Sequence, residues 1–283
     1  MSDQTEPSSP FVDRDEEGNP LHPLERPPIA VPDSQRPLVI RPFLRVEAPY
    51  DEPMLSYILL ALNVIVFLID TLTAWSGLGY GQVGLLTLLG AKSNASILQG
   101  QYWRLLTPMF LHAGILHLVF NGYFLYRIGP WVERHFGTAR FAAIYFLSGI
   151  GASLASFALN LNPAVGASGA LFGLIGAMLP MLYINRDLIA NTRSLIGNII
   201  MTIVFNLLIG LSPGIDNWAH IGGLICGLTL GWLTSPRLAI RERTPDLIRI
   251  EDRSSPSFVW LSVAAFTAGL VTLTVVLVNL ARL

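Results

Sequence analysis

Seven apolar stretches, each close to the length of a membrane helix, constrain this chain more than any other feature of its sequence. A bilayer core of about 30 Å is crossed by a helix of about 20 apolar residues, so each stretch predicts one spanning helix. They cover approximately residues 54–72, 105–128, 139–159, 168–185, 194–211, 217–234 and 258–281. The fourth to sixth are short, and we expect them to be tilted or partly immersed. The predicted fold class is an all-α polytopic membrane protein.

Composition agrees with this prediction and excludes other classes of protein. Hydrophobic residues make up 52% of the chain and charged residues 13%, whereas soluble domains contain about 25% charged residues. The net charge of −1 provides no basic face for a nucleic acid, so the lipid bilayer is the expected environment and no nucleic acid is expected as a partner. Cys226 is the single cysteine and can form no intramolecular disulfide.

Three polar or interrupted segments separate the apolar stretches from one another. Residues 1–52 hold 10 of the 19 prolines and 11 acidic against 5 basic residues, which predicts a disordered arm without a secretory signal. Residues 73–104 are too interrupted to span a bilayer and too apolar for a free loop, so we expect an interfacial, partly helical connector. Residues 235–257 carry charges of both signs and predict a solvated linker.

The placement of basic residues predicts the orientation in the membrane, because cytoplasmic loops are rich in lysine and arginine. On one side lie Arg127, Arg134, Arg140, Arg186, Arg193, Arg237, Arg241, Arg243, Arg249 and Arg253. The other side holds Lys92, Arg104 and Arg282. We therefore expect the N-terminus and the 235–257 linker in the cytoplasm and the C-terminus outside. No Arg-rich, acid-poor transit peptide is visible, which favours a bacterial plasma membrane.

Histidines inside the predicted spans are candidates for function, because ionisable residues are costly in a bilayer. His112 and His117 fall in the second stretch and His220 in the sixth. His117 and Asn121 are four residues apart and share one helix face, whereas His112 lies on a neighbouring face where packing or hydrogen bonding is expected. Each polar residue alone is equally consistent with a hydrogen bond between helices.

A serine between glycines, in "NPAVGASGALFGLIGAM", opens the fourth stretch. Ser168 with His220 would supply a nucleophile and the base that activates it. The unpaired amide groups at a helix start, with the Asn121 amide and His117, can complete a site for a developing oxyanion.

Glycines in the fourth and sixth stretches are spaced for close helix packing. Gly166 allows a tight turn into the helix, and Gly169 begins a face of small residues. Gly223 and Gly227 form a similar face in the sixth stretch. Packing these faces together would bring Ser168 and His220 within reach, although either face alone is an ordinary packing motif.

Five motifs occur in one order across residues 54–234: "WR" at Trp103 and Arg104, "HAGILHLVFN", "ERHFG" beginning at Glu133, "GASG", and "AHIGGLICG". In this set and order the chain resembles the rhomboid intramembrane serine proteases. The resemblance implies a six-helix core at residues 53–234 plus one C-terminal transmembrane helix at 258–283.

The resemblance also implies a role for each matching residue. Ser168 would be the nucleophile and His220 the general base of a two-residue centre, with His117, Asn121 and the Ser168 amide forming the oxyanion hole. Phe172 stands where the family often has a tyrosine packed on the catalytic histidine. The supporting residues carried over are Trp103 and Arg104 in the first loop, Glu133 at the end of the second helix, His112, Gly166, Gly169, Gly223 and Gly227.

Family members cut single-pass membrane proteins near the outer end of the transmembrane helix. This resemblance implies such substrates here, with the fifth helix and the loop before His220 as the gate. No cofactor and no metal are expected, since the sequence lacks the H-E-x-x-H pattern of zinc proteases. A triad using Asp216 is an alternative to the dyad. The sequence predicts no oligomeric state.

Two other functions compete with proteolysis. A catalytically inactive relative would bind or chaperone membrane clients, but such relatives usually lose the serine or histidine, and Ser168 and His220 are both present. A proton-coupled transporter would be expected to carry carboxylates inside its spans. Only Asp70, near a helix end, approaches that description.

Overall fold

Seven long helices build the fold in the computed structural model, which describes residues 45–47, 52–244 and 247–283. In chain order the helices are α1 (Leu55–Trp75), the short α2 (Leu85–Gly90) and α3 (Asn94–Leu98), α4 (Ile115–Phe136), α5 (Thr138–Leu159), α6 (Ser168–Ile184), α7 (Thr192–Ile209), α8 (Asn217–Thr234) and α9 (Pro256–Leu280). The expected all-α polytopic architecture is confirmed, with a small sheet added to it.

Length and apolar composition alone identify four of these helices as able to cross a membrane, namely α1, α5, α7 and α9. Helix α6 is equally apolar but shorter, at 17 residues. Helices α4 and α8 contain the polar side chains His117, Asn121 and His220 in place of apolar ones. The spans that fall short by composition are therefore those that carry the candidate site.

Helix α6 lies at the centre of the bundle and α7 at its edge. Twelve of the 17 residues of α6 are buried. Helix α7 buries only Thr192 and Ile203 among its 18 residues. Helix α6 is therefore largely enclosed by protein, with Ser168 at its start only partly buried, while α7 presents most of its surface outward.

Glycine faces bring α6 and α8 into backbone contact, as their spacing predicts. A methyl group at Gly223 would overlap the carbonyl oxygen of Gly169, and one at Gly227 would overlap that of Gly173. One turn further along, a methyl group at Gly231 would lie 2.6 Å from the Cα of Ala177. This contact fixes the two helices in register over three turns and sets the start of α6 beside the first turns of α8.

The second span differs from its predicted position. We expected it to start near residue 105 and to include His112, whereas α4 begins at Ile115 and runs to Phe136. Residues Tyr102–Leu105 and Thr107–Phe110 instead form two 3₁₀ turns. Pro108 has no amide hydrogen for a preceding helical turn, and Gly114 is extended at the helix start. The apolar run therefore consists of a folded loop followed by a helix.

A three-stranded sheet lies outside the helices, where the sequence predicted only solvated segments. It consists of β1 (Arg45–Glu47), β2 (Leu238–Arg243) and β3 (Leu247–Asp252), in the order β1-β3-β2. Strand β1 pairs in parallel with β3, and β2 pairs antiparallel to it. In β2, "LAIRER", three apolar residues are followed by three charged ones and the last four residues are exposed, whereas every residue of β3, "LIRIED", is partly buried.

The sheet is tied to the bundle through the start of α5. Arg140 forms a mostly buried ion pair with Asp252 at 2.8 Å and donates a hydrogen bond to the Thr234 carbonyl at 3.1 Å. Within the 235–257 segment, the described residues 235–244 and 247–257 are therefore an ordered connection between α8 and α9. Of the N-terminal arm predicted to be disordered, residues 1–44 and 48–51 lie outside the described residues.

Candidate active site

Ser168 and His220 meet where α6 and α8 begin. The Ser168 hydroxyl oxygen lies 3.0 Å from Nε2 of His220, at a distance that allows the hydroxyl to donate to the ring nitrogen. Ser168 is the first residue of α6, and His220 lies in the first turn of α8. His220 is buried, at 8% exposure. A serine hydroxyl held on an imidazole nitrogen is the arrangement of a nucleophile beside a base.

Phe172 stacks on one face of the His220 ring. The two rings are stacked, with centroids 4.4 Å apart and planes inclined by 16°. Phe172 follows Ser168 by one turn of α6, so one helix supplies both groups that contact the imidazole. The ring that the sequence places here is therefore able to restrict the orientation of His220 without a hydroxyl group.

The Asp216 carboxylate makes no hydrogen bond to the His220 ring, although the His220 amide donates to the Asp216 carbonyl at 3.3 Å. It is the N-cap of α8, where its carboxylate accepts the Ala219 amide at 3.2 Å and a short hydrogen bond from the Ser156 hydroxyl. Nδ1 of His220 is buried and has no hydrogen-bond partner among the described residues. The geometry therefore contains a pair of residues, serine and histidine, and no carboxylate in line with them.

Gly166 brings the loop before α6 against the ring of His117. Its φ of +129° is one that side-chain-bearing residues rarely adopt. A Cβ at this position would lie 2.7 Å from Cε1 and Nε2 of His117. Glycine is therefore required here both for backbone conformation and for space.

The donors of His117 and Asn121 lie beside Gly166, two residues before Ser168. Nδ1 of His117 accepts the Ala113 amide at 3.4 Å, which leaves the proton of a neutral ring on Nε2, facing Gly166. The Asn121 side-chain amide donates one hydrogen to the His117 carbonyl at 3.1 Å and retains a second. The first amides of α6 have no partner within the helix. Such donors are suited to an oxygen that becomes negative.

His112 lies close to this site but in the loop before α4. Its side chain is 4% exposed, and its ring meets that of His117 edge to face, with centroids 5.2 Å apart and planes at 69°. His112 therefore packs against His117, and its expected packing role stays a prediction, which this contact supports.

Trp103 and Arg104 organise the connector before α4. Buried Arg104 donates to the carbonyls of Ala91 and Leu88, both at 2.8 Å, and to the Gln101 side chain at 2.7 Å. Half-exposed Trp103 donates its indole hydrogen to the Leu89 carbonyl at 2.9 Å. These bonds satisfy carbonyls at the end of α2 that have no helical partner, so the interfacial connector is a folded structure.

Glu133 acts at the opposite end of α4. Its carboxylate accepts the amides of Leu55 and Ser56 at 2.9 and 2.8 Å, and that of Met54 at 3.2 Å. The side chain is 1% exposed. It caps the start of α1 and has no contact with Ser168 or His220. The structural role implied for Glu133 stays a prediction, which these bonds to α1 support.

Lys92 lies at the same end of the bundle as Ser168, and the sequence predicts for it only a position outside the membrane. Lys92 is 1% exposed and lies between α2 and α3. Its Nζ donates to the carbonyls of Asn160 and Asn162, which precede α6. The signal in the sequence is a single lysine in the otherwise uncharged stretch "LLTLLGAKSNASIL".

Known proteins share the segment that builds this site. Residues 99–237 match the family model of the Rhomboid domain. The chain belongs to the rhomboid family. This match begins just before Trp103 and ends after α8, so it includes every residue discussed above that contacts Ser168 or His220. Membership in the rhomboid family and the apolar helices make the chain an integral membrane protein.

Similar rhomboid proteins come from bacteria and plants. The rhomboid protease GluP of Bacillus subtilis (strain 168) is 43% identical over 177 residues, which cover 62% of this chain and 34% of GluP. The chloroplastic RHOMBOID-like protein 9 of Arabidopsis thaliana is 34% identical over 225 residues, covering 76% of this chain and 52% of the plant protein. The mitochondrial RHOMBOID-like protein 6 of the same plant is 44% identical over 147 residues, covering 51% and 48%. The chain spans about half or less of each relative.

Proposed function

We propose that this rhomboid protein is an intramembrane serine endopeptidase in which Ser168 and His220 form the catalytic dyad. The observation that carries the proposal is the 3.0 Å approach of the Ser168 hydroxyl to Nε2 of His220 at the partly buried start of α6. The similarity to a relative named a rhomboid protease supports the same activity.

The proposed reaction proceeds through an acyl-enzyme. Nε2 of His220 takes the hydroxyl proton as Oγ of Ser168 attacks the peptide carbonyl carbon. The carbonyl oxygen becomes negative and accepts hydrogen bonds from the Ser168 amide, the Asn121 side-chain amide and Nε2 of His117. The C–N bond then breaks, and His220 passes its proton to the leaving amine.

Hydrolysis of the acyl-enzyme repeats these steps with water. His220 removes a proton from the water as its oxygen attacks the ester carbon, and the second tetrahedral species uses the same donors. When the ester bond breaks, Oγ of Ser168 regains its proton from His220 and the carboxylic acid leaves. Phe172 keeps the imidazole in one orientation through both halves of the reaction.

The proposed substrates are single-pass transmembrane proteins cleaved in or near their membrane helices. Helix α7, which buries only two of its residues, is the element with the fewest constraints beside α6. Movement of α7 and of the loop before α8 would open a lateral path from the lipid to Ser168. The polypeptide of the substrate has to leave its helix to reach the serine, because helical hydrogen bonds shield the carbonyl carbon.

The proposed location is a bacterial plasma membrane, with the N-terminus in the cytoplasm and the C-terminus outside. Ten basic residues lie at the loops on the side of the sheet, and three lie on the side of Ser168. By the positive-inside rule, the catalytic end of the bundle faces outward.

The decisive experiment is cleavage of a single-pass reporter by the purified full chain in detergent, with the cut site identified by mass spectrometry. The reporter carries small, helix-breaking residues near the outer end of its membrane helix. We expect wild type to cut it and Ser168→Ala and His220→Ala to lose at least about 10³-fold in kcat. Ser262→Ala, which removes a serine from α9, is the matched control and should retain full activity.

Labelling with a fluorophosphonate provides an independent measurement of the nucleophile. Wild type and Ser262→Ala should react and Ser168→Ala should not. Failure of wild type both to cut several reporters and to react with the probe would contradict the proposal. An inactive binder or chaperone of membrane clients would then be the better explanation.

A further inference from the structure

Lys92 is a fully buried cation whose side chain binds backbone instead of a carboxylate. Its Nζ donates to the Asn160 carbonyl at 2.5 Å and to the Asn162 carbonyl at 3.0 Å. Among the described residues no carboxylate oxygen lies within 4.0 Å of it. A buried ammonium is costly unless it is hydrogen-bonded, so these two carbonyls are what make its burial tolerable.

The loop that leads into Ser168 is held at every second residue. In addition to the two side-chain bonds, the Lys92 amide donates to the Ala164 carbonyl at 2.9 Å, and the Ala164 amide donates to the Lys92 carbonyl at 3.1 Å. The Gly166 amide then donates to the Pro108 carbonyl at 2.9 Å. Lys92 therefore supplies the restraint at Asn160, Asn162 and Ala164, directly before the glycine that lies against His117.

Asp216 couples this lysine to the helix of His220. Burial lowers the pKa of Lys92 to about 8, and the negative charge of Asp216 partly opposes that effect. Asp216 is also the N-cap of α8. Asp216 thus acts electrostatically on the lysine that holds the Ser168 loop and also caps the helix that carries His220.

We propose that Lys92 is a positioning residue for catalysis, whose ammonium holds the 160–166 loop so that Gly166 and Ser168 stay aligned with His117 and His220. The proposal rests on the proteolytic function proposed above. Lys92 contacts no reacting atom. It acts through the backbone that bears the serine and one side of the oxyanion site.

A dependence on pH follows from the charge of the lysine. Below its pKa the ammonium makes charge-assisted bonds to both carbonyls, which are about twice as strong as neutral ones. Above about pH 8 the neutral amine binds them more weakly and the loop loosens. Catalysis should therefore decline as pH rises through about 8. The charged group acting on Lys92 from the facing element α8 is Asp216.

Substitutions of Lys92 test the position directly. We expect Lys92→Met, which keeps the length but removes every side-chain donor, to lower kcat about 10- to 100-fold with KM changed less than about twofold. Lys92→Arg keeps a permanent charge and should retain activity while losing the decline above pH 8. Arg282→Met is the matched control, since it removes an exposed cation that donates to the Leu98 carbonyl, and it should leave kcat unchanged.

Asp216→Asn supplies a signed test that does not alter the lysine. Asparagine can still cap α8 and accept from Ser156, but it removes the negative charge that favours the ammonium. The alkaline decline in kcat should therefore move to lower pH than in wild type. The proposal would be overturned if kcat of Asp216→Asn declined at the same pH as wild type, or if kcat of Lys92→Arg still declined near pH 8. Both tests remain decisive if Lys92→Met does not fold.

Hydrogen exchange separates this proposal from the proteolytic one. Peptides covering residues 160–167 should exchange faster in Lys92→Met than in wild type, and faster in wild type above pH 8 after correction for intrinsic rates, whether or not the protein cleaves a reporter. Unchanged exchange together with wild-type kcat would refute the role of Lys92. Cleavage that persists in Ser168→Ala would instead refute the catalytic dyad. The exchange result would then still show whether Lys92 restrains the 160–166 loop.

Discussion

Helices α7 and α8 both pack on α6, but they do so through different atoms. Helix α8 approaches backbone to backbone, with Gly223 and Gly227 against the carbonyls of Gly169 and Gly173. Helix α7 reaches α6 through side chains, with Ile203 in a small cluster beside Phe172 and Ile175. Backbone contact leaves no freedom to slide, whereas side chains can change rotamer as helices separate. The difference assigns fixed geometry to one side of α6 and access to the other.

The largest expected effect comes from breaking the rigid contact. Gly227→Ala places a methyl group into the Gly173 carbonyl, so α8 must move away from α6. We expect a loss of about 3 kcal/mol in the free energy of unfolding and at least about 100-fold in kcat, because His220 moves with α8. Thermal unfolding in detergent and reporter cleavage measure the two effects.

Gly197→Ala is the matched control on helix α7. Gly197 lies in α7, and a Cβ there would meet nothing within 4 Å. We expect equal or slightly higher stability, by up to about 1 kcal/mol, from the better helix propensity of alanine. Equal effects of the two substitutions would remove the distinction between α7 and α8.

Gly166→Ala tests the fixed geometry at the start of α6 without changing the backbone contact between α6 and α8. The new methyl group would meet the ring of His117, and the backbone would be strained at its φ of +129°. We expect kcat to fall by about 10²- to 10³-fold, as for the loss of an oxyanion donor, while KM changes little. Steady-state kinetics with one reporter decide this, and a rise in KM alone would contradict an oxyanion role.

Phe205→Ala tests whether substrates reach the site past helix α7. Phe205 is 63% exposed on α7, so its loss should change the free energy of unfolding by less than about 0.5 kcal/mol. If substrates enter past α7, the apparent KM for a membrane reporter should shift by about two- to tenfold. Phe258→Ala, which removes a comparably exposed phenylalanine from α9, should leave KM unaltered. Equal KM shifts in both variants would argue against entry at α7.

Phe172→Tyr is expected to have the smallest effect. The aromatic ring stacked on His220 is kept, and only a hydroxyl group is added at its edge. We expect kcat within about twofold of wild type, measured with the same reporter. A decrease beyond about tenfold would mean that the space around Phe172 is more restricted than the stacking indicates.

The helix pair at the centre of the site follows from the sequence because its signals are local and periodic. Glycines four residues apart predict close packing, and Ser168 and His220 each lie at the end of such a run. Phe172 follows Ser168 by one helical turn, so the sequence places both side chains on the same face of α6. The family that these motifs indicate is confirmed by the match to the Rhomboid domain, and the fold class by the helical structure.

Other features depend on contacts between distant parts of the chain. Hydropathy does not distinguish the folded loop at residues 102–110 from the helix that follows it, because both are apolar. The sheet was missed because β1 and β3 acquire their pairing only when both ends of the core come together. The hydrogen bonds of Lys92 join the connector to the loop after α5, and its charge suggested an exposed position.

Strand β1 precedes the first membrane helix and β3 precedes the last, so the sheet has a consequence for biosynthesis. Arg45 leaves the ribosome early, but its partner Leu247 is made only after α8. The parallel pairing cannot form until the six long helices between them have been synthesised. Strand β1 is therefore without its partner β3 throughout the synthesis of the core, and the pairing joins the chain on either side of that core only after α8 has been made.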